Sequence, residues 1–150
     1  MISPELLRRH SFFAGFTPAE LKELAIAGRE HSFKAGDVLF SEGDHAEHFY
    51  FLAEGEVELL LDADGEKIAL GSLPAGEPVG WSSLIEPRLY TATVRALRAC
   101  RVLTFGHVEL DRMLHEDHFA ALMMRKLAEV VSRRLKDTQI QLLSLTAKKD

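Results

Sequence analysis

Three groups of side chains in this 150-residue chain could act chemically at short range. Asp44, His45, Glu47 and His48 gather carboxylates and imidazoles within residues 44–48, a composition that can ligate a metal. The same composition suits a solvated loop, and we read it as one, with no metal site. The lone cysteine, Cys100, lies beside an apolar strand pattern, and no general base is identifiable by spacing. It is therefore expected as a small core residue and not as a nucleophile. His107, His115 and His118 flank predicted helix starts without a ligand spacing. No motif for catalysis emerges, so no catalytic residue is assigned and the protein is not expected to be an enzyme.

Bulk composition narrows the partners. With 47% hydrophobic and 27% charged residues the chain can bury a core as one globular unit. A formal net charge of −5 leaves no basic footprint for a phosphate backbone, so direct nucleic-acid binding is not expected. One cysteine excludes an internal disulfide framework and fits a reducing compartment. The N-terminal MISPELLRRHSFFAGF carries charges where a secretory signal needs an apolar stretch. Nor does any apolar run approach the roughly 18 residues of a membrane span. The expectation is a soluble, cytoplasmic protein without a membrane partner.

The elements that must position any site follow from local pattern. Residues 3–28 read as short helices; in the second, Thr17 can cap, Pro18 takes the first helical position and Glu20 closes a capping box. Phe16 and Leu21 are spaced as its hydrophobic staple. From about Glu30 the pattern becomes short β segments between glycine turns, with strands expected at Val38–Phe40, Phe49–Ala53, Val57–Leu61, Lys67–Leu73, Thr91–Leu97 and Arg101–Phe105. Asp64-Gly65 between two apolar runs signals a hairpin, because positive φ is readily adopted there. A short helix is expected near Val108–His115. Beyond it, Asp117 to about Leu145 runs without Gly or Pro, enough for about 42 Å of helix. We therefore expect an α+β but mainly β unit over 1–150: N-terminal helices (1–29), a jelly-roll-like β-roll or double-stranded β-helix (30–106), and C-terminal helices (107–146).

The long helix carries a second pattern. Ala121, Met124, Ala128, Val131, Leu135, Thr138, Leu142 and Leu145 follow alternating steps of three and four, the seam of a coiled coil. Leu122, Leu127 and Val130 form another stripe that could face the β unit. One reading is an amphipathic helix packed only on its own core. The other, which we adopt, is a homodimer through the seam.

KAGDVLFSEGDHAEHFYFLAEGEVELL, followed by LGSLPAGEPVG and TATVRA, resembles the cyclic-nucleotide-binding domain of the Crp/Fnr regulators and of the regulatory subunits of cAMP-dependent protein kinase. The likeness runs from about Phe12 to Leu145, and Gly36, Gly43, Gly55, Gly76 and Gly80 fall where that fold turns. In that family a phosphate-binding cassette holds the ligand: a short helix after a Gly offers amides to the cyclic phosphate, a Glu binds the ribose, and an Arg pairs with the phosphate. The resemblance places the cassette at Gly80 to Thr93, GWSSLIEPRLYTAT, with Gly80, Trp81, Ser82, Ser83, Arg88, Tyr90 and Thr91 as its ligand-facing candidates.

Two positions depart from the family. Trp81 stands where the resemblance requires the ribose-binding Glu, and Tyr90 where it requires the phosphate-binding Arg. Burying a phosphate without its cation is expected to cost roughly 2–5 kcal/mol. That is a loss on the order of 30-fold to several thousand-fold in affinity. Arg88, two residues earlier, could swing in, and the amides and hydroxyls of Ser82 and Ser83 could hold a weaker anion or merely cap their own helix. On the long helix RRLKDTQ resembles the stretch that reaches the base, placing Thr138 and Gln139 as base contacts. No cofactor is implied beyond a cyclic nucleotide or another small anion. The resemblance implies a regulatory sensor without the helix-turn-helix of Crp/Fnr proteins, or the effector half of such a regulator. With the cassette closed, it would instead be a dimerisation module that binds no ligand.

Overall fold

The structure, a computed structural model, describes residues 1–147, so the last three positions of the 1–150 unit lie outside the described residues. Helix α1 (Pro4–Arg8), a 3-10 turn (Ser11–Phe13) and α2 (Pro18–Ala27) come first. Eight strands follow: β1 (Gly28–Phe33), β2 (Val38–Phe40), β3 (His48–Glu54), β4 (Glu56–Ala63), β5 (Glu66–Pro74), β6 (Pro78–Val79), β7 (Thr93–Ala96) and β8 (Cys100–Gly106). A second 3-10 turn (Trp81–Leu84) interrupts them, and α3 (His107–Met113) and α4 (Asp117–Ala147) close the chain. The strands form two antiparallel four-stranded sheets, ordered β1-β8-β3-β6 and β2-β7-β4-β5. This is the expected jelly-roll between helices.

Alternation along the strands divides the interior into two cores. On β3, Phe49 and Phe51 point to one face while Leu52 points to the other; on β8, Leu103 and Phe105 oppose Cys100 and Val102. The first set packs with Phe13, Phe16 and Leu24 of the N-terminal segment and with Leu110, Phe119 and Met123 of α3 and α4. The second fills the space between the sheets with Val57, Val94, Ala96 and Tyr90. Strands buried on both faces read as continuous apolar runs, which is why FYFLA and VLTF stand out in the sequence. The α2 capping box forms as expected: Thr17 Oγ1 accepts from the Glu20 amide at 3.1 Å and Glu20 Oε1 from the Thr17 amide at 2.8 Å. The β4–β5 hairpin turns on Asp64 and Gly65 at φ 52° and 85°, the two positive values of a type I′ turn.

Two strands escaped the sequence reading. β1 crosses the expected helix-to-strand boundary at residues 29–30 and pairs with β8 from Gly28↔Phe105 to Phe33↔Cys100. It is an edge strand with Arg29, Glu30 and His31 exposed, so its ladder is backbone chemistry with no apolar alternation to reveal it. β6 has two residues.

α4 behaves as two halves. Phe119, Met123, Leu127 and Val130 are buried, so the core-facing stripe is centred differently from the expected one and Leu122 is only half-buried. Met124, expected in the seam, also packs partly on the domain's own core. Beyond Val130 the seam residues are open: Leu135, Leu142 and Leu145 are 58%, 63% and 60% exposed. Among the described residues no helix is long and apolar enough to cross a membrane.

Candidate functional site

The site lies where β6 passes into the second 3-10 turn. Gly80 adopts φ 72°, and a Cβ there would stand 3.0 Å from the Phe40 ring, 3.1 Å from Tyr50 and 3.2 Å from Tyr90. Only glycine meets both demands, the left-handed backbone and the close ring contacts. The turn buries Ser82 and Ser83, and the Ser83 hydroxyl donates to the Gly80 carbonyl at 3.4 Å, serving its own turn. Trp81 is half-buried against the first core.

Tyr90 is a core residue. Its ring stacks on Phe40 at 3.9 Å between centroids, and its hydroxyl donates to the His48 carbonyl at 2.9 Å. Burial pushes the Tyr90 phenol far above its ordinary pKa, and burial also raises Tyr50. Neither can act as an anion-binding acid-base group near neutral pH.

Arg88 is held away from the site. One guanidinium nitrogen donates to Asp111 Oδ2 at 2.8 Å and another to Oδ1 at 3.1 Å, while His107 Nδ1 lies 3.0 Å away. Arg88, expected to be able to swing in, is here paired with Asp111 on α3 and with Glu86, 3.1 Å from its Nε, and does not border the cavity beside α4. Around it, backbone bonds from Ala46 to the Arg88 carbonyl (2.8 Å), from Tyr90 to Asp44 (3.0 Å) and from Gly43 to Tyr90 (2.9 Å) tie the segment to residues 43–48. The Asp44–His48 cluster is thus the pairing partner of the cassette's exit. Among the described residues, no three His, Cys, Asp or Glu side chains gather to hold a metal.

Between the β2-β7-β4-β5 sheet, the cassette turn and α4 lies a cavity of about 390 Å³. Of the sequence-assigned residues it brings together Gly80, Trp81, Ser82, Tyr90 and Thr91 with Thr138, Val131 and Leu135. Ser83, Arg88 and Gln139 do not border it; Gln139 follows Thr138 and is turned a little over a quarter of the way round the helix. Leu59, Leu61 and Leu70 form an apolar wall that the sequence reading missed, although all three lie on expected strands.

It also missed Arg134, the one charged residue bordering the cavity among those described. Its guanidinium donates to the Pro78 carbonyl and lies 3.8 Å from Glu77, whose carboxylate is nearer to Arg133 at 3.2 Å. The side chain is 19% exposed, and burial pulls its pKa down to about 10 against the partial support of Glu77. The signal was present in RRLKDTQ: Arg134 precedes Thr138 by one turn and shares its helix face.

Roll, glycine turn and helix-covered cavity together define a cyclic-nucleotide-binding type of regulatory fold. The family model described as cyclic nucleotide-binding domain matches residues 30–117, and the chain belongs to that family. A Geobacter metallireducens protein described as a candidate cyclic nucleotide-binding protein is 36% identical, with a TM-score of 0.79 over 90% of this chain and 99% of that one. The Thermus thermophilus catabolite activator protein shares the fold at 23% identity and a TM-score of 0.71, over 96% of this chain and 63% of that one. The cAMP-dependent protein kinase regulatory subunit of Blastocladiella emersonii is 29% identical over 65% of this chain. The chain spans about a third or less of the first curated relatives it matches, 32%, 24% and 15% of their lengths.

Proposed function

We propose that this chain is a cytoplasmic, non-enzymatic sensor domain whose cassette no longer suits a cyclic nucleotide and whose α4 joins two copies into a homodimer. The carrying observation is the fate of the two cassette positions. Tyr90 occupies the expected cation's place with a neutral, stacked ring, and the nearby Arg88 is committed to Asp111. Trp81 stands in place of the ribose-binding carboxylate. The kinase relative carries cAMP in its name; here the side chains that would recognise that ligand are replaced, while the cavity beside α4 supports a small-molecule role. A ligand there would touch both the sheet and α4, and could favour one helix position over another through those differential contacts. Calorimetry with cAMP and with cGMP tests this: we expect no saturable heat at micromolar ligand, and micromolar binding by either would overturn the altered-cassette reading.

A second reading has its own support in the open seam. Leu135, Leu142 and Leu145 present an apolar stripe that suits a dimerising scaffold whether or not the cavity is filled.

A further inference from the structure

We propose that the ligand of this cavity is an apolar monocarboxylate, a medium-chain or aryl-substituted acid, whose carboxylate is held by Arg134 of α4. This inference rests on the sensor reading above. Most of the wall is hydrocarbon or aromatic: Phe40, Leu59, Leu61 and Leu70 on one side, Val131 and Leu135 on the other. Ser82, Thr91 and Thr138 contribute its few hydroxyl groups, and Thr138 already donates to the Arg134 carbonyl at 2.9 Å. A ribose and a phosphodiester would bury many polar atoms against such a wall with few partners, which is unfavourable. A single anionic end on an apolar body meets the opposite situation. The volume of about 390 Å³ is within the range of small-molecule pockets.

Arg134 supplies the polar end. Its planar fork matches a carboxylate bidentately. Its present partners leave room for one: a backbone carbonyl, Pro78, and a carboxylate, Glu77, that lies closer to Arg133. A cation that is four-fifths buried, beside a Glu77 carboxylate it shares with Arg133, gains from an incoming anion more than an exposed one would. Because Arg134 sits on α4 beside Val131 and Leu135, the acid would draw the helix onto the sheet.

The test uses the fluorescence of Trp81, the single tryptophan and part of the cavity wall. The titrants are straight-chain acids from butanoate to decanoate, phenylbutanoate, and octanamide as the neutral twin of octanoate. At least one acid should saturate the signal, and octanamide should bind about tenfold to a hundredfold more weakly than octanoate. Arg134→Gln should abolish that preference and Arg134→Lys should keep part of it, while Leu61→Gln should weaken acid and amide alike. Circular dichroism melts of each variant separate loss of binding from loss of fold. No saturation by any acid at millimolar concentration, equal binding of octanoate and octanamide, or an unchanged Arg134→Gln would overturn the assignment. If a neutral fraction of cell extract then quenches Trp81 saturably, the sensor reading stands and only the carboxylate assignment falls; with no response to either, both fall.

Discussion

Arg88 and Asp111 form a two-pronged ion pair, 2.8 and 3.1 Å, between the cassette and α3. Arg88 sits at φ 60°, a left-handed conformation that costs a non-glycine residue roughly 1 kcal/mol and that this pair helps to hold. The hydrogen bonds from Arg88 keep the Asp111 carboxyl below its usual pKa against the opposing effect of burial, with His107 adding to the lowering. A depressed carboxylate contributes stability that is fully present above the ordinary carboxylate range and is lost as pH falls through the depressed value. Asp111→Asn should therefore lower stability by about 1 kcal/mol near neutral pH, with the pair partly exposed and screened. The gap from wild type should close in acid. Thermal melts of both proteins across pH check this; a gap that is independent of pH would show that the pair contributes nothing through its charge.

Replacing Tyr90 by Phe should cost about 1 kcal/mol, because the ring keeps its stack on Phe40 while the hydroxyl loses the His48 carbonyl. Tyr90→Arg is a different matter. It would bury a charge among Phe40 and Tyr50 and should destabilise by more than about 2 kcal/mol. Denaturant melts compare the two, and the double change with Trp81→Glu should recover cyclic-nucleotide binding only in part. Equal melts for Phe and Arg would mean that the ring is not held in the core.

Burial pulls the Arg134 pKa down to about 10, so the charged form is disfavoured by folding. The penalty is present at every pH below that value, neutral pH included, and is relieved only above it. Arg134→Met should leave stability within about 1 kcal/mol of wild type or raise it. A loss of more than about 3 kcal/mol in urea melts would instead make Arg134 a structural brace.

Leu142→Lys should convert the proposed homodimer to a monomer without altering β content, since Leu142 is 63% exposed and borders no part of the cavity. Leu135→Lys should do the same while also disturbing the cavity wall. Light scattering at tens of micromolar reads both; a monomeric wild type would sink the dimer.

The frame was legible because its signals are local. The capping residues Thr17 and Glu20, the Asp64-Gly65 turn and the doubly buried runs of β3 and β8 each announce themselves within a few residues. β1 was silent, since an edge strand bearing Arg29, Glu30 and His31 displays no buried face. Trp81 and Tyr90 were visible as residue types that depart from the resemblance, but Arg88 turning toward Asp111 depends on a helix 23 positions away. Arg134 was hidden differently. A positive charge on a mostly exposed helix looks like solvated surface until a sheet is laid against it.

The two halves of α4 make it a lever. Phe119, Met123, Leu127 and Val130 anchor one arm in the core, while polar contacts from Arg134 to Pro78 on β6, from Arg133 to Glu77 and from Gln141 to Leu70 on β5 moor the other arm to the two sheets of the roll. From Val130 to Ala147 the free arm is about 25 Å long, so each degree of tilt at its fulcrum moves the tip by about 0.4 Å. Narrowing the cavity beside Val131 and Leu135 by an ångström or two acts on this arm close to its fulcrum, and the displacement is multiplied several-fold at Leu145. A small molecule between sheet and helix thus has mechanical gain built in, with its largest output at the seam where two copies would meet.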